Sequence, residues 1–278
     1  MKLTQAPFTT RNSPFANWKR LLVASLCLTA MQSLTAQSVY KTGFDQPFVA
    51  NAPLSGQDGW IAPPPLSPNA AIVTTDKPHI GRQTVQVLGS DMVSQDFINA
   101  ATDGYYDAIG SYRRTVNYDT GGTQTVTVSA LVRVDGAASP VGNNFFSASI
   151  AARAGLTNGD HAGVGELAIS SDGHIYGYSG NQDVPTFQTS KPVTLGKWHL
   201  LSIVINFTTK TYSFRVNGNL EGEFAFDANV DDDGNALGYT NVLLRGSLIT
   251  YAAPDAGGLQ KADYAARFDR FSIKATEE

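Results

Sequence analysis

Apolar and polar residues alternate along almost the whole chain after residue 36, and no stretch keeps a 3.6-residue period for three turns. Such a chain can bury its apolar side chains only as strands, so an all-β fold is expected. The clearest segment is 124–135, where Val126, Val128, Ala130, Val132 and Val134 share one face. Thr125, Thr127, Ser129 and Arg133 share the other, which is the pattern of a half-buried strand. Similar runs cover 38–44, 83–88, 108–116, 145–153, 165–170, 174–178, 198–207, 211–216, 220–226, 242–249 and 268–274. Asp172-Gly173 and Asn217-Gly218 fall between such runs and predict tight hairpins, because these residues tolerate positive φ. Four prolines, Pro63, Pro64, Pro65 and Pro68, mark 62–71 as an irregular surface loop.

The first 36 residues carry Lys2, Arg11, Lys19 and Arg20 and no acidic residue, then an apolar run over 21–31 and a small-residue end at Thr35-Ala36. That layout is expected of a secretory signal peptide cut after Ala36. The apolar run is about half the roughly 20 residues a membrane span requires, so no stable insertion is expected once the signal is removed. Leu26 before Cys27 is too bulky for a lipidation site. Residues 37–278 would then form one domain, secreted, periplasmic or at the cell surface.

Cleavage removes four of the 20 Lys+Arg and none of the 24 Asp+Glu, moving the formal net charge from -4 to -8 over the remaining 242 residues. An acidic chain repels nucleic-acid phosphates and anionic lipid. Cys27 is the one cysteine, so no disulfide can form in the remaining domain and stability must come from a core.

The run Gly196-Lys197-Trp198-His199 leading through Phe207, followed by Thr211-Tyr212 and ending in Val216-Asn217-Gly218, resembles the central hairpin of laminin-G-like and related concanavalin A-like domains. Tyr40 to Asp45, followed by Gly59-Trp60, and the closing segment Arg267-Phe268-Asp269-Arg270-Phe271 agree with it. The resemblance implies a two-sheet antiparallel jelly roll with its first and last strands side by side. It implies little about activity, because this sandwich carries lectins, adhesion modules, glycoside hydrolases and polysaccharide lyases. The Glu-x-Asp-x-Glu signature of the glucanase branch is missing, and Glu221-Gly222-Glu223 reads as a solvated strand face. The arginine-rich strand and Gln-x-His motif of the alginate-lyase branch are missing too.

If Phe146, Ala148, Ile150 and Ala152 face the core, Ser147, Ser149 and Arg153 face the other way. Glu166, His174, Tyr176 and Tyr178 have matching parity on the next strands, so with Arg153 they form a candidate ligand-binding set for a polysaccharide or other glycan. Tyrosine rings stack on sugar C–H faces, while Arg, Glu and His supply hydrogen bonds or move protons. Net charge favours a neutral glycan unless Arg153 and its neighbours make a local positive patch. Asp227, Asn229, Asp231 and Asp233 place oxygens at alternate positions before Gly234 and form a candidate calcium loop, although Thr240 stands where a bidentate Glu is needed. No organic cofactor is implied. A carbohydrate-binding or adhesion protein is expected, with a polysaccharide lyase or glycoside hydrolase as the alternative.

Overall fold

The computed structural model describes residues 36–62, 71–89, 108–121, 124–136, 145–180, 185–253 and 264–277. The expected signal segment therefore lies outside the described residues apart from Ala36, as do the four prolines of the 62–71 loop. Ala36–Glu278 clusters as a compact unit of its own. Among the described residues no helix is long and apolar enough to cross a membrane.

Every regular element among the described residues is a strand. In chain order they are β1 (Gln37–Thr42), β2 (Trp60–Ile61), β3 (Ala71–Thr74), β4 (Thr84–Leu88), β5 (Ala108–Asp119), β6 (Gln124–Gly136), β7 (Phe145–Leu156), β8 (His161–Ser170) and β9 (Ile175–Ser179). There follow β10 (Phe187–Gln188), β11 (His199–Asn206), β12 (Thr211–Val216), β13 (Asn219–Ala225), β14 (Asn229–Val230), β15 (Ala236–Leu237), β16 (Tyr239–Ala253) and β17 (Tyr264–Glu277). Each of the twelve alternating runs coincides with a strand. The short strands β2, β3, β10, β14 and β15 were not legible, since two to four residues establish no period.

Fifteen of these strands form two large antiparallel sheets, and β14 and β15 pair as a separate two-stranded hairpin. An eight-stranded sheet runs β13-β12-β11-β6-β17-β4-β3 with β1 also on β17, and a seven-stranded sheet runs β10-β9-β8-β7-β16-β5-β2. The first and last strands pair as the resemblance implied, with Lys41 opposite Ser272 and Thr42 opposite Phe271. The result is a jelly-roll sandwich.

The core lies between the inner faces. Val126, Val128, Ala130, Val132 and Val134 are buried there, as are Phe146, Ala148, Ile150 and Leu167 from the facing sheet. Glycines on the seven-stranded sheet make room for rings of the other. A Cβ at Gly246 would sit 2.5 Å from Phe271, and one at Gly165 would sit 3.1 Å from Phe214. Gly165 is thus a packing feature of β8. The predicted hairpins form, with φ of 52° at Asn217 and 86° at Gly218, as a two-residue turn with both centres left-handed requires.

Strand β17 is kinked at its middle, where the pairing with β6 shifts register between Asp269 and Ser272 and Arg270 takes φ of 50°. The buried Asp269 carboxylate accepts from the backbone N–H groups of His79 (2.9 Å), Ile80 (3.2 Å) and Arg270 (2.7 Å), which ties the loop after β3 to this kink. Nearby, buried Arg267 pairs with Asp76 at 2.7 Å and Asp135 at 2.9 Å and donates to Gln86.

Candidate functional site

Cross-strand partners in a sheet share a face, so the register of the seven-stranded sheet states which side chains meet on its outer side. One row across the sheet reads Ile61, Arg113, Ser247, Ala151, Glu166, Tyr178. The next row towards one end reads Arg245 and Arg153, and the next towards the other reads Ser111, Ile249, Ser149, Ala168, Tyr176. The alternate rows, which hold Tyr112, Leu248, Ile150 and Leu167, face the core.

A cavity of about 240 Å³ opens on this outer face, lined by Arg113, Arg153, Glu166, Tyr178, Ser247 and Tyr251 among others. Small residues form its floor, including Ala151, Gly163 and Gly165, and the long side chains stand around them. Glu166 is held from two sides. Ser149 Oγ donates to its Oε1 at 2.5 Å and Tyr251 OH to its Oε2 at 3.1 Å. Burial nevertheless lifts its carboxyl from 4.5 to about 7, against the pull of those two hydrogen bonds. A carboxyl in that state can take or give a proton near neutral pH.

Arg113 and Arg153 line the cavity, and Arg245 stands beside them on the same face of the sheet. Arg245 lies directly opposite Arg153, and Arg113 lies opposite Ser247, two residues further along β16. Burial and then the charges of Arg113 and Arg153 hold Arg245 down to about 10. Burial and Arg153 lower Arg113, and burial lowers Arg153. His161 at the start of β8 is lowered by burial and by all three arginines, with Asp160 opposing. The local positive patch on which a neutral ligand was conditional therefore exists.

Of the residues singled out from sequence, Arg153, Glu166 and Tyr178 come together in this cavity. Tyr176 and His174 lie on the same side of the sheet but outside the cavity lining. Tyr176 OH donates to Asp172 Oδ2 at 2.9 Å and accepts from Gln188 Nε2, and burial followed by Asp172 pushes it up to about 12. His174 holds the Thr189 carbonyl at 2.8 Å through Nδ1 and packs edge-on to Tyr176. Arg113, Arg245 and Tyr251 were not foreseen. The faces of Arg113 and Arg245 were implied by alternation in 108–116 and 242–249, but nothing in the sequence says that β16 adjoins β7 or that β5 adjoins β16.

The calcium candidates do not form a coordination shell as placed. Asp231 Oδ1 accepts from the backbone N–H groups of Asp233 and Asn235, and its Oδ2 accepts from Asn235 Nδ2, closing the β14–β15 turn. Asp227 is turned to Ser179, whose hydroxyl donates to it at 2.5 Å. Among the described residues no three His, Cys, Asp or Glu side chains converge as a metal would need. Glu221 and Glu223 are exposed on the edge strand β13, as a solvated face requires.

Solved structures similar to this chain include a sialidase, at 13% identity and a TM-score of 0.44 over 85% of this chain. The chain spans 18% of that sialidase. A basic winged bean lectin in complex with Tn-antigen matches at 11% identity and a TM-score of 0.44, over 87% of this chain and 99% of the lectin. A protein of unknown function with a galectin-like fold from Bacillus subtilis matches at 12% identity and a TM-score of 0.43, over 87% and 98%. No protein-family model and no curated protein matches the chain. Its class rests on its own sheet order, that of a two-sheet antiparallel β-sandwich with a polar cavity on the outer face of the seven-stranded sheet.

Proposed function

We propose that this outer face binds a saccharide and that the protein acts outside the cytoplasm as a carbohydrate-binding or adhesion protein. The observation that supports this is the convergence of Arg113, Arg153, Glu166, Tyr178 and Tyr251 on one cavity. A sugar ring offers C–H faces that pack on tyrosine and hydroxyl pairs that suit fixed planar partners such as guanidinium and carboxylate. The volume of about 240 Å³ is below the roughly 300–1,000 Å³ of sites that enclose an organic ligand. It suits one unit of a longer glycan lying across the sheet. Calorimetric titration with a panel of soluble polysaccharides tests this, and Tyr178→Ala is expected to weaken binding by about tenfold, the effect of removing one stacking ring. Absence of binding to every member would remove the reading.

Glu166 supports a second reading, a polysaccharide lyase or glycoside hydrolase. Its carboxyl sits at about 7, bonded by Tyr251, beside arginines able to neutralise an acidic substrate. Under that reading the same panel yields new reducing ends, or unsaturated ends that absorb in the ultraviolet, and Glu166→Gln abolishes them.

A further inference from the structure

The outer face of the seven-stranded sheet concentrates positive charge in a chain whose formal net charge is -4. Arg153, Arg245 and Arg113 come from the successive strands β7, β16 and β5, and the register sets Arg153 directly opposite Arg245 and Arg113 diagonal to it on one side. Directly opposed side chains have Cβ atoms about 5 Å apart and diagonal ones about 7–8 Å, within reach of one small anion for a side chain as long as arginine. Among the described residues neither Arg113 nor Arg245 makes an ion pair. The five pairs present involve Lys77, Arg114, Arg133 and Arg267 instead.

Among the described residues, the acidic groups near Arg113 and Arg245 are already engaged. There Glu166 is the one acidic side chain in the cavity lining, and both of its oxygens accept hydrogen bonds, from Ser149 and Tyr251. Asp160 lies beyond His161, where Asn158 donates to its carboxylate. All three arginines are half-buried, so water screens their mutual repulsion less than it would at an open surface. Gathering like charges in this way destabilises the free protein, and an anion seated among them removes that cost while gaining forked hydrogen bonds.

We infer that the cavity selects an anionic saccharide, with a carboxylate or sulfate group of the sugar seated among the guanidinium groups of Arg113, Arg153 and Arg245. The inference rests on the saccharide-binding reading above and adds the charge of the ligand to it. Tyr178 and Tyr251 would then hold the ring while the arginines hold its charged substituent.

The test titrates the full chain with four probes: a uronic-acid oligomer, a sulfated oligosaccharide, a neutral glucan of matched length and sodium sulfate. One or both acidic oligomers are expected to bind at least tenfold more tightly than the glucan, with affinity falling as salt is raised. The better of the two identifies carboxylate or sulfate as the preferred group. Arg245→Gln and Arg113→Gln are each expected to lower acidic-oligomer affinity about tenfold. Circular dichroism should show both folded, because each relieves repulsion. Equal affinity for glucan and acidic oligomers, with Tyr178→Ala weakening both, would overturn the anionic preference and leave the saccharide reading standing. Binding of sodium sulfate that depends on Arg245, with no saccharide bound, would instead overturn the saccharide reading. Two folded arginine variants that bind the acidic oligomer like the parent protein would also overturn the inference.

Discussion

Replacing Glu166 by glutamine keeps the shape of the side chain in the cavity and removes its ability to ionise. Burial raises the carboxyl from 4.5 to about 7 in the folded protein. Between those values the folded state holds a proton that the unfolded chain has released, so stability falls as pH rises through this window. Below it both states are protonated and nothing is lost. Above it both are ionised and the whole cost of burying the charge is felt. At roughly 1.36 kcal/mol per pH unit, that cost is about 3 kcal/mol. Glu166→Gln should therefore be about 3 kcal/mol more stable than the parent protein near pH 8 and nearly equal to it near pH 4. The amide oxygen and the rotatable hydroxyls of Ser149 and Tyr251 can still satisfy one another. Urea denaturation followed by tryptophan fluorescence across that range measures the difference. A gain that does not change with pH, or a variant less stable at the alkaline end, would refute the argument that Glu166 is buried as a charge.

Three other outcomes are expected. Arg267→Ala, which removes a buried guanidinium held by Asp76 and Asp135 and leaves half-buried Asp135 to Arg133, should cost about 1–3 kcal/mol in the same denaturation assay, and an effect below about 0.5 kcal/mol would show the network to be solvated. Calcium added to chelator-treated protein should leave the melting temperature unchanged, because Asp231 already spends its oxygens on Asp233 and Asn235; a rise that Asp231→Ala abolishes would mean that the turn re-forms around the ion. Protein recovered from a secreting host should begin near Gln37 by terminal sequencing, whereas an intact Met1 on secreted protein would remove the signal-peptide reading.

Alternation located the long strands and decided which face of each is buried, because a period of two survives wherever one side of a sheet meets a core. Arg153, Glu166 and Tyr178 could be grouped beforehand for a further reason: β7, β8 and β9 are consecutive hairpin strands, so neighbours in sequence are neighbours in the sheet. Arg113 and Arg245 could not. Strands β5 and β16 pair with each other across more than a hundred residues of chain, and periodicity carries no information about such pairing. Tyr251 escaped because β16 runs on past 249 to Ala253. Tyr176 had the correct parity and still lies outside the cavity lining, with its hydroxyl turned to Asp172 and Gln188. The Asp227 to Asp233 segment was ambiguous on physical grounds. A tight turn and a calcium loop both want oxygens at alternate positions, so the sequence pattern alone does not separate them.

The position of β17 has a consequence for how the chain reaches its fold. This strand follows the other sixteen in chain order, yet it lies in the interior of the eight-stranded sheet, with β6 along one edge and both β4 and β1 along the other. Until it arrives, the first strands and the β6–β11–β12–β13 meander have no shared neighbour in that sheet. Contacts spanning more than two hundred residues, such as Thr42 with Phe271, must close a loop of nearly the entire domain before they stabilise anything. The eight-stranded sheet therefore stays open at its centre until β17 is available, with long unpaired strand edges exposed. Assembly should be slow, as one concerted closure around that strand.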